Sequence, residues 1–340
     1  KMKDFSWRAD LRIFTFLCVL SVAVPSVTAQ KLTLTRALEL ADESHPQLQA
    51  GTAQIEGARA GLTTARAYPN PEFGFSTGRQ TAIRPGNDRG PVQLYSIDQP
   101  LELGALRPRR FEQAQSLVTS TELARAETRL AVLARVRRSF HQVLRRSREI
   151  DLFAENLALV EDFRKRIQVR VEVGEAGRLE LVRADAELAN ARTLANSARI
   201  RLVTEEAQLR AAVGSPLEAV LAIEGQLDPP VVLPPLGEVW QQTLDRHPSL
   251  GLARAEIRRA EARVAYEEAL RRPQPSVRTD IERWPDVPNY RVGVSLPLPF
   301  WNRREGPIAE SLAAVRQAQA LNRSRTIELQ AALEGAYTRY

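Results

Sequence analysis

The sequence is poor in cysteine, histidine and aromatic residues: one Cys, three His and only 6% Phe, Trp and Tyr among 340 residues. The single cysteine, Cys18, lies in the first thirty residues, so the remainder has neither disulfides nor thiolate metal ligands. No nucleophile motif, glycine-rich phosphate loop or Cys/His cluster occurs, so neither an enzyme nor a cofactor is expected. Beyond residue 29 no apolar run is long enough to form a membrane-spanning helix. With so few aromatics, and Ala, Leu, Arg and Glu dominating the middle, extended helices are favoured over a thick core.

The N-terminal thirty residues stand apart. Lys1, Lys3, Arg8 and Arg12 precede an apolar run from Ile13 to Val24, followed by Val27-Thr28-Ala29, the pattern of an export signal cleaved before Gln30. Bulky Phe16 and Leu17 before Cys18 argue against a lipid anchor there. The net charge of +7 and pI near 10 raise nucleic acid as a partner. Most arginines, however, alternate with Glu and Ala as on a solvated helix face, and no stacking aromatics are interleaved. The densest run, Arg135, Arg137, Arg138, Arg145, Arg146 and Arg148, is the best nucleic-acid candidate, but it equally fits the lining of a tunnel or the flank of a subunit seam with Glu partners, and that structural reading is favoured. No nucleic-acid partner is expected.

Residues 107–214 read as two long helices joined by a turn at Gly174 to Arg178. After the turn, Leu181, Leu188, Ala195, Leu202 and Leu209 recur every seventh residue, with Ala184, Ala191, Ala198 and Ala212 in the second heptad position. Small residues there let neighbouring helices approach closely, and only Glu205 interrupts them. Before the turn a seam runs through Leu123, Ala126, Leu130, Leu133, Phe140 and Leu144. It resumes out of phase at Ile150, Phe153, Leu157, Val160, Ile167 and Val171, so the supercoil is not uniform.

An internal repeat frames this hairpin. Leu48, Ile55, Ala58 and Leu62 follow His45-Pro46 as Leu250, Ile257, Ala260 and Val264 follow His247-Pro248, at one fixed offset. The division expected is a signal peptide (1–29), a first repeat (30–227), a Pro-rich linker (228–235) and a second repeat (236–340). Each repeat carries a candidate β-hairpin. In the first, Phe73 and Phe75 alternate with Glu72, Gly74 and Ser76, and a return strand runs from Val92 to Gln99 after the turn at Pro85-Gly86-Asn87-Asp88. In the second, Val277, Thr279 and Ile281 alternate with Arg278, Asp280 and Glu282, then Tyr290, Val292, Val294 and Leu296 with Arg291, Gly293 and Ser295.

Such alternation fits a membrane barrel with an apolar exterior and a polar lumen. On that reading Glu72, Ser76, Arg278, Asp280, Glu282, Arg291 and Ser295 face the lumen. Phe73, Phe75, Val277, Ile281, Tyr290, Val292, Val294 and Leu296 face lipid. Four strands cannot close a barrel, and open edges do not survive in a bilayer, so chains must pool hairpins; three would give about twelve strands.

These residues resemble the TolC-type outer-membrane efflux channel family. The junction Ala67-Tyr68-Pro69-Asn70-Pro71-Glu72 is similar to the family's approach to its first barrel strand. Asp98-Gln99-Pro100-Leu101-Glu102-Leu103-Gly104, with Arg107 and Arg110, resembles its exit into the long helix. Leu296-Pro297-Leu298-Pro299-Phe300-Trp301-Asn302-Arg303, with Gly306, is the matching exit in the second repeat. The wording of the junctions is most similar to the heavy-metal (cobalt-zinc-cadmium type) branch. The resemblance implies a mainly α fold with a small β part: a homotrimer whose twelve-stranded barrel in outer-membrane lipid continues as an α-helical tunnel across the periplasm. It also implies a tip that docks a periplasmic adaptor and inner-membrane pump, here Val173 and Gly174; Gly177 and Arg178 join them from turn geometry and charge. The implied function is a passive conduit exporting metal ions or small toxic compounds. A secreted coiled-coil scaffold without a pore is the rival reading. The second long helix begins at Ile308, Leu312 and Val315 but the sequence stops at Tyr340, so a C-terminally incomplete chain is expected and no gate residue is assigned.

His45 and His247 are read as helix-break residues and His141 as solvated, because no carboxylate or thiol lies at ligand spacing. Glu205-Glu206 and Glu267-Glu268 are read as solvated helix charges.

Overall fold

The computed structural model describes residues 31–81, 89–217, 222–227 and 232–339. The expected signal peptide with Cys18, the expected turn at residues 85–88 and the first half of the expected Pro-rich linker lie outside the described residues.

The chain runs β1 (Leu32–Thr33), α1 (Leu34–Ser44), α2 (Pro46–Arg66), β2 (Glu72–Gln80), β3 (Gly90–Pro100), α3 (Leu106–Glu172) and α4 (Arg178–Val213). It then repeats the plan with β4 (Ile223–Glu224), α5 (Leu236–Arg246), α6 (Pro248–Leu270), β5 (Ser276–Arg283), β6 (Pro288–Ser295) and α7 (Glu305–Arg339). The helix breaks at His45-Pro46 and His247-Pro248 have one cause in both repeats. Proline bars the preceding residue from α geometry, and both histidines sit in extended backbone. Each histidine then caps the next helix: Nδ1 accepts from the Gln47 N–H at 3.1 Å and from the Ser249 N–H at 3.2 Å.

The 67 residues of α3 form a spine about 100 Å long at ~1.5 Å per residue. α4 folds back along its C-terminal half; α2 and α6 flank its N-terminal half, and α7 packs on α6. In α4 the heptad seam is as the sequence requires, with Ala184, Ala191, Ala195, Ala198, Leu209 and Ala212 buried. In α3 Phe140, Leu144 and Ile167 of the expected seam are buried, but the stripe is corrected in part. Leu130 is 42% exposed, while Val132, Val136, Phe140 and Val143 are buried. The physical reason is a third element: α1 packs on α3 and α4 there, and its Ala37 and Ala41, with Leu48 at the start of α2, pack with that stripe and with Leu209, Ala212 and Val213 in the one broad apolar core described. A two-helix seam has an a/d face; a further helix packed across it buries a wider stripe of the same helix.

Two strand pairings organise the ends of the chain segments. β1 and β4 form a short parallel ladder that the sequence did not signal, Leu32 facing Ile223. Both predicted hairpins form, and they join into a single antiparallel sheet of order β2-β3-β5-β6. Each strand is continuous with a helix, and the helices pack in the same order, α2 on α3, α3 on α6 and α6 on α7. Sheet and helical layer are therefore two stretches of one wall.

Candidate functional site

The wall changes from helix to strand at a junction built from the motif residues. The last carbonyls of α2 have no helical partners of their own. Arg107 donates to the Arg66 carbonyl at 2.7 and 3.0 Å, and Arg110 donates to the carbonyls of Ala65 at 3.0 Å and Ala67 at 2.8 Å. Arg110 is itself held by the Glu102 carboxylate, and the Arg107 guanidinium lies 4.1 Å over the Tyr68 ring. Gln99 donates to the Pro69 carbonyl at 3.0 Å. The two repeats are stitched together as Leu101 N–H donates to the Pro275 carbonyl and Leu103 N–H to Gln274 Oε1, each at 2.8 Å.

The second exit is locked differently. Arg304 takes the left-handed conformation, φ 57°, and its N–H donates to Asn302 Oδ1 at 3.0 Å. Its guanidinium pairs with Glu267 of α6, whose side chain is 10% exposed. Glu267 is thus no solvated charge, contrary to its sequence reading. A carboxylate this buried requires a partner, and one from the other end of the hairpin supplies it. The sequence pointed to Arg303, which is exposed; its neighbour does the clamping. Glu205, also read as solvated, pairs with Arg146 across the α3–α4 seam.

The sheet register sorts the side chains onto two faces. Phe73 stands opposite Ile97, Phe75 opposite Tyr95, Tyr95 opposite Ile281, Val277 opposite Val294 and Ile281 opposite Tyr290. Val292 joins them opposite Thr279, and Leu296 follows one residue past the end of β6. Every residue of the expected apolar set within the strands is on this face. It is open: Phe73 is 69%, Tyr290 76% and Val292 73% exposed. Glu72, Ser76, Arg278, Asp280, Glu282, Arg291 and Ser295 share the opposite face with Asp98 and Ser96. There Arg278 donates to Asp280 at 2.9 Å, Arg291 to Glu282 at 2.8 Å and Ser276 to Asp98 at 3.2 Å. Tyr95, Ile97, Ser96 and Asp98 were legible in the alternation of β3, but Val92 and Leu94 on the polar face blur it.

At the far end of the hairpin, α3 stops at Glu172 because Gly174 takes φ 81°, where a side chain is disfavoured. Glu175 and Ala176 N–H groups both donate to the Arg170 carbonyl, at 2.8 and 3.1 Å, and Gly177 caps α4 in extended backbone. Val173 is 64% exposed, and Arg178 begins α4, where the helix dipole disfavours a cation. The tip thus presents an exposed apolar side chain and an exposed cation.

Elsewhere ion pairs brace the helices. Arg129 pairs with Asp42 of α1, Nη2 to Oδ2 at 2.7 Å, which holds the Asp42 carboxyl below its usual range. Burial, with help from Arg135, pushes His45 below its usual value. Arg145 and Arg146 meet Glu149, and Arg148 meets Asp151, all within α3, one turn apart on the same helix. Among the described residues no cluster of three His, Cys, Asp or Glu is placed to hold a metal ion, and no helix is long and apolar enough to cross a membrane.

Comparison with known proteins agrees with this geometry. The chain is 27% identical over 298 residues to the cobalt-zinc-cadmium resistance protein CzcC of Cupriavidus metallidurans, covering 86% of this chain and 68% of that protein. It is 25% identical to the nickel-cobalt-cadmium resistance protein NccC of Alcaligenes xylosoxydans xylosoxydans, covering 84% of this chain and 64% of that protein. The chain thus spans about two thirds of the length of these relatives. Its fold is similar to that of CusC, whose crystal structures concern transmembrane channel formation, with a TM-score of 0.73 at 15% identity over 90% of this chain and 76% of that one. The profile of outer membrane efflux proteins matches residues 37–215. A sheet open on its apolar face, a helical wall continuing it and these likenesses meet in one conclusion: the chain belongs to the outer membrane efflux protein family, a component of an outer-membrane efflux channel that extends into the periplasm.

Proposed function

We propose that three copies of this chain close their four-stranded sheets into one twelve-stranded barrel, with the apolar face toward lipid and the polar face lining the passage. One observation carries the reading. The strand order β2-β3-β5-β6 is repeated by the helix order α2-α3-α6-α7, and β2 and β6 are left as open edges. Open edges and an exposed apolar face are untenable in water or lipid unless the next copy pairs with them. Strands of eight to eleven residues measure about 26 to 36 Å, and tilted by ~40° they match an apolar band about 25 Å tall. The pore-less scaffold leaves that face without a function.

The helical layer then forms the tunnel wall, and the turn at Val173, Gly174, Gly177 and Arg178 meets a periplasmic adaptor linked to an inner-membrane pump. Nothing in the sequence binds nucleotide, so the conduit is passive and the pump supplies the energy. The cargo class is divalent transition-metal cations. The relatives are named for resistance to cobalt, zinc, cadmium and nickel. The polar face is consistent with that cargo, since Glu72, Asp98, Asp280 and Glu282 outnumber Arg278 and Arg291. The test is purification from outer membranes followed by native mass measurement and planar-bilayer recording. A trimer with cation-preferring conductance is expected; a monomer that conducts nothing would overturn the reading.

A further inference from the structure

We propose that Arg79, Arg89 and Arg283, at the end of the sheet away from the helices, form a phosphate-binding rim for a phosphorylated glycolipid of the outer leaflet. The site presupposes the lipid-facing sheet proposed above. Charge in this sheet is sorted by face. The acids Glu72, Asp98, Asp280 and Glu282 all lie on the polar face, where Arg278 and Arg291 are both paired. The apolar face holds no acid among the described strand residues, and its cations are Arg79 of β2 and Arg283 of β5. Arg79 stands opposite Pro91, and Arg283 opposite Gln93, the next residue of β3 on the same face.

Charge is sorted along the strands as well. Toward the helices the apolar face closes on Gln99, Val277 and Val294, with no cation. Toward the other end it passes through Thr77 and Gln93 to the two arginines, and Arg89, just before β3, adds a third. All three are exposed, and none has a hydrogen-bond or ion-pair partner among the described residues. The nearest acids are occupied. Glu282 accepts from Trp284 and Arg291, and Asp286, in the turn after β5, is engaged by another group.

The occupant follows from position and chemistry. The helices extend into the periplasm, so the arginine end of the sheet faces the cell exterior and the outer leaflet. A cation bordering hydrocarbon has lost part of its water and needs an anion, and a guanidinium fork matches phosphate bidentately. Arg79 and Arg283 lie two strands and two residues apart, which strand spacings of ~4.8 Å and a rise of ~3.4 Å convert to about 12 Å between their Cα atoms. That reach suits phosphates at the two ends of one sugar headgroup better than the single phosphodiester of a phospholipid.

The test is native mass measurement of the full chain, purified from outer membranes and offered bis-phosphorylated lipid A, lipid A stripped of phosphate, or phosphatidylglycerol. One variant combines Arg79→Gln, Arg89→Gln and Arg283→Gln; a second puts Lys at the same three positions; Arg278→Gln removes a charge from the polar face as control. Wild type and Arg278→Gln are expected to retain lipid A alike, the glutamine variant about tenfold less, and the lysine variant an intermediate amount. The other two lipids should be held no better by wild type than lipid A is by the glutamine variant. Trimers that keep lipid A after losing all three arginines would overturn the rim and leave the barrel standing. Phosphatidylglycerol held as well as lipid A would also overturn it, leaving only a general attraction for anions. If the glutamine variant does not assemble, the lysine variant decides, and undiminished retention there overturns the rim. A monomeric wild type would sink the barrel and the rim with it.

Discussion

Arg146 of α3 reaches across the helical seam to Glu205 of α4, Nε to Oε1 3.8 Å apart, at the one position where the alanine series of α4 is broken. Arg146 also meets Glu149 at 2.7 Å on its own helix. A charged pair inside a small-residue seam adds little net stability compared with an apolar pair, but it opposes sliding of one helix along the other. Restoring the alanine pattern with Glu205→Ala is therefore expected to leave the folded chain intact, because Arg146 keeps Glu149, while loosening the α3–α4 register. Cysteine pairs across the seam should cross-link in the native and one-heptad-shifted registers in the variant, and only in the native register otherwise.

The corrected core stripe gives a contrast between two large residues of the same helix. Phe140 is 1% exposed, so Phe140→Ala should cost ~3–5 kcal/mol. Leu130, at 42% exposed, should cost under about 1 kcal/mol on replacement by Ala. Denaturant unfolding followed where α1 packs on α3 compares them; equal losses would return Leu130 to the core.

Gly214 ends α4 at φ 69°, and a Cβ there would lie 2.7 Å from His45 Cδ2 and 3.0 Å from Pro46 Cδ. Gly214→Ala therefore combines left-handed strain with overpacking against a rigid ring, for a loss of ~2–4 kcal/mol. Gly174→Ala at the tip has similar strain, φ 81°, but nothing within 4 Å of the added carbon. It should cost only ~1 kcal/mol while impairing export, which metal-resistance assays measure alongside thermal unfolding.

His45 links the same region to pH. Its folded pKa is lowered, first by burial and then by Arg135, so the neutral form is the one the fold favours. The associated stability is complete above the unfolded value of 6.5 and is lost as pH falls below it. The melting temperature should thus drop between about pH 7.5 and about pH 5.5, and His45→Asn, which keeps a capping acceptor, should flatten that drop. Asp42 acts in a lower window, since its pKa is depressed from 3.8 by Arg129.

Adjacent residues of β6 should respond oppositely. Val292→Arg puts a charge on the apolar face and is expected to destabilise the membrane form by ~2–4 kcal/mol, seen as loss of assembled protein. Arg291→Ala removes a partner of Glu282 from the polar face and should instead alter ion preference with assembly retained.

Much of this was legible along the chain because it is periodic. The alternation of Val277 to Glu282, the heptads of α4 and the matched His-Pro breaks each depend on local geometry, which neighbours in sequence express. β1 with β4 was not legible, because Leu32 and Ile223 are two short apolar residues whose pairing is meaningful only once α4 has returned the chain beside α1. Glu267 reads as one of many helix acids until Arg304 arrives from 37 residues later.

By itself, then, the sequence determined where helix gives way to strand, which strand residues are apolar and where the long hairpin turns, since proline, glycine and period-two or period-seven patterning act on the backbone nearby. Only the tertiary structure decided that the two hairpins join edge to edge into one sheet, that the helices continue it in the same order, and that α3 buries Val132 and Val136 instead of Leu130. Those outcomes depend on which surfaces meet after the chain has doubled back over about 100 Å of helix, and no local pattern encodes the meeting.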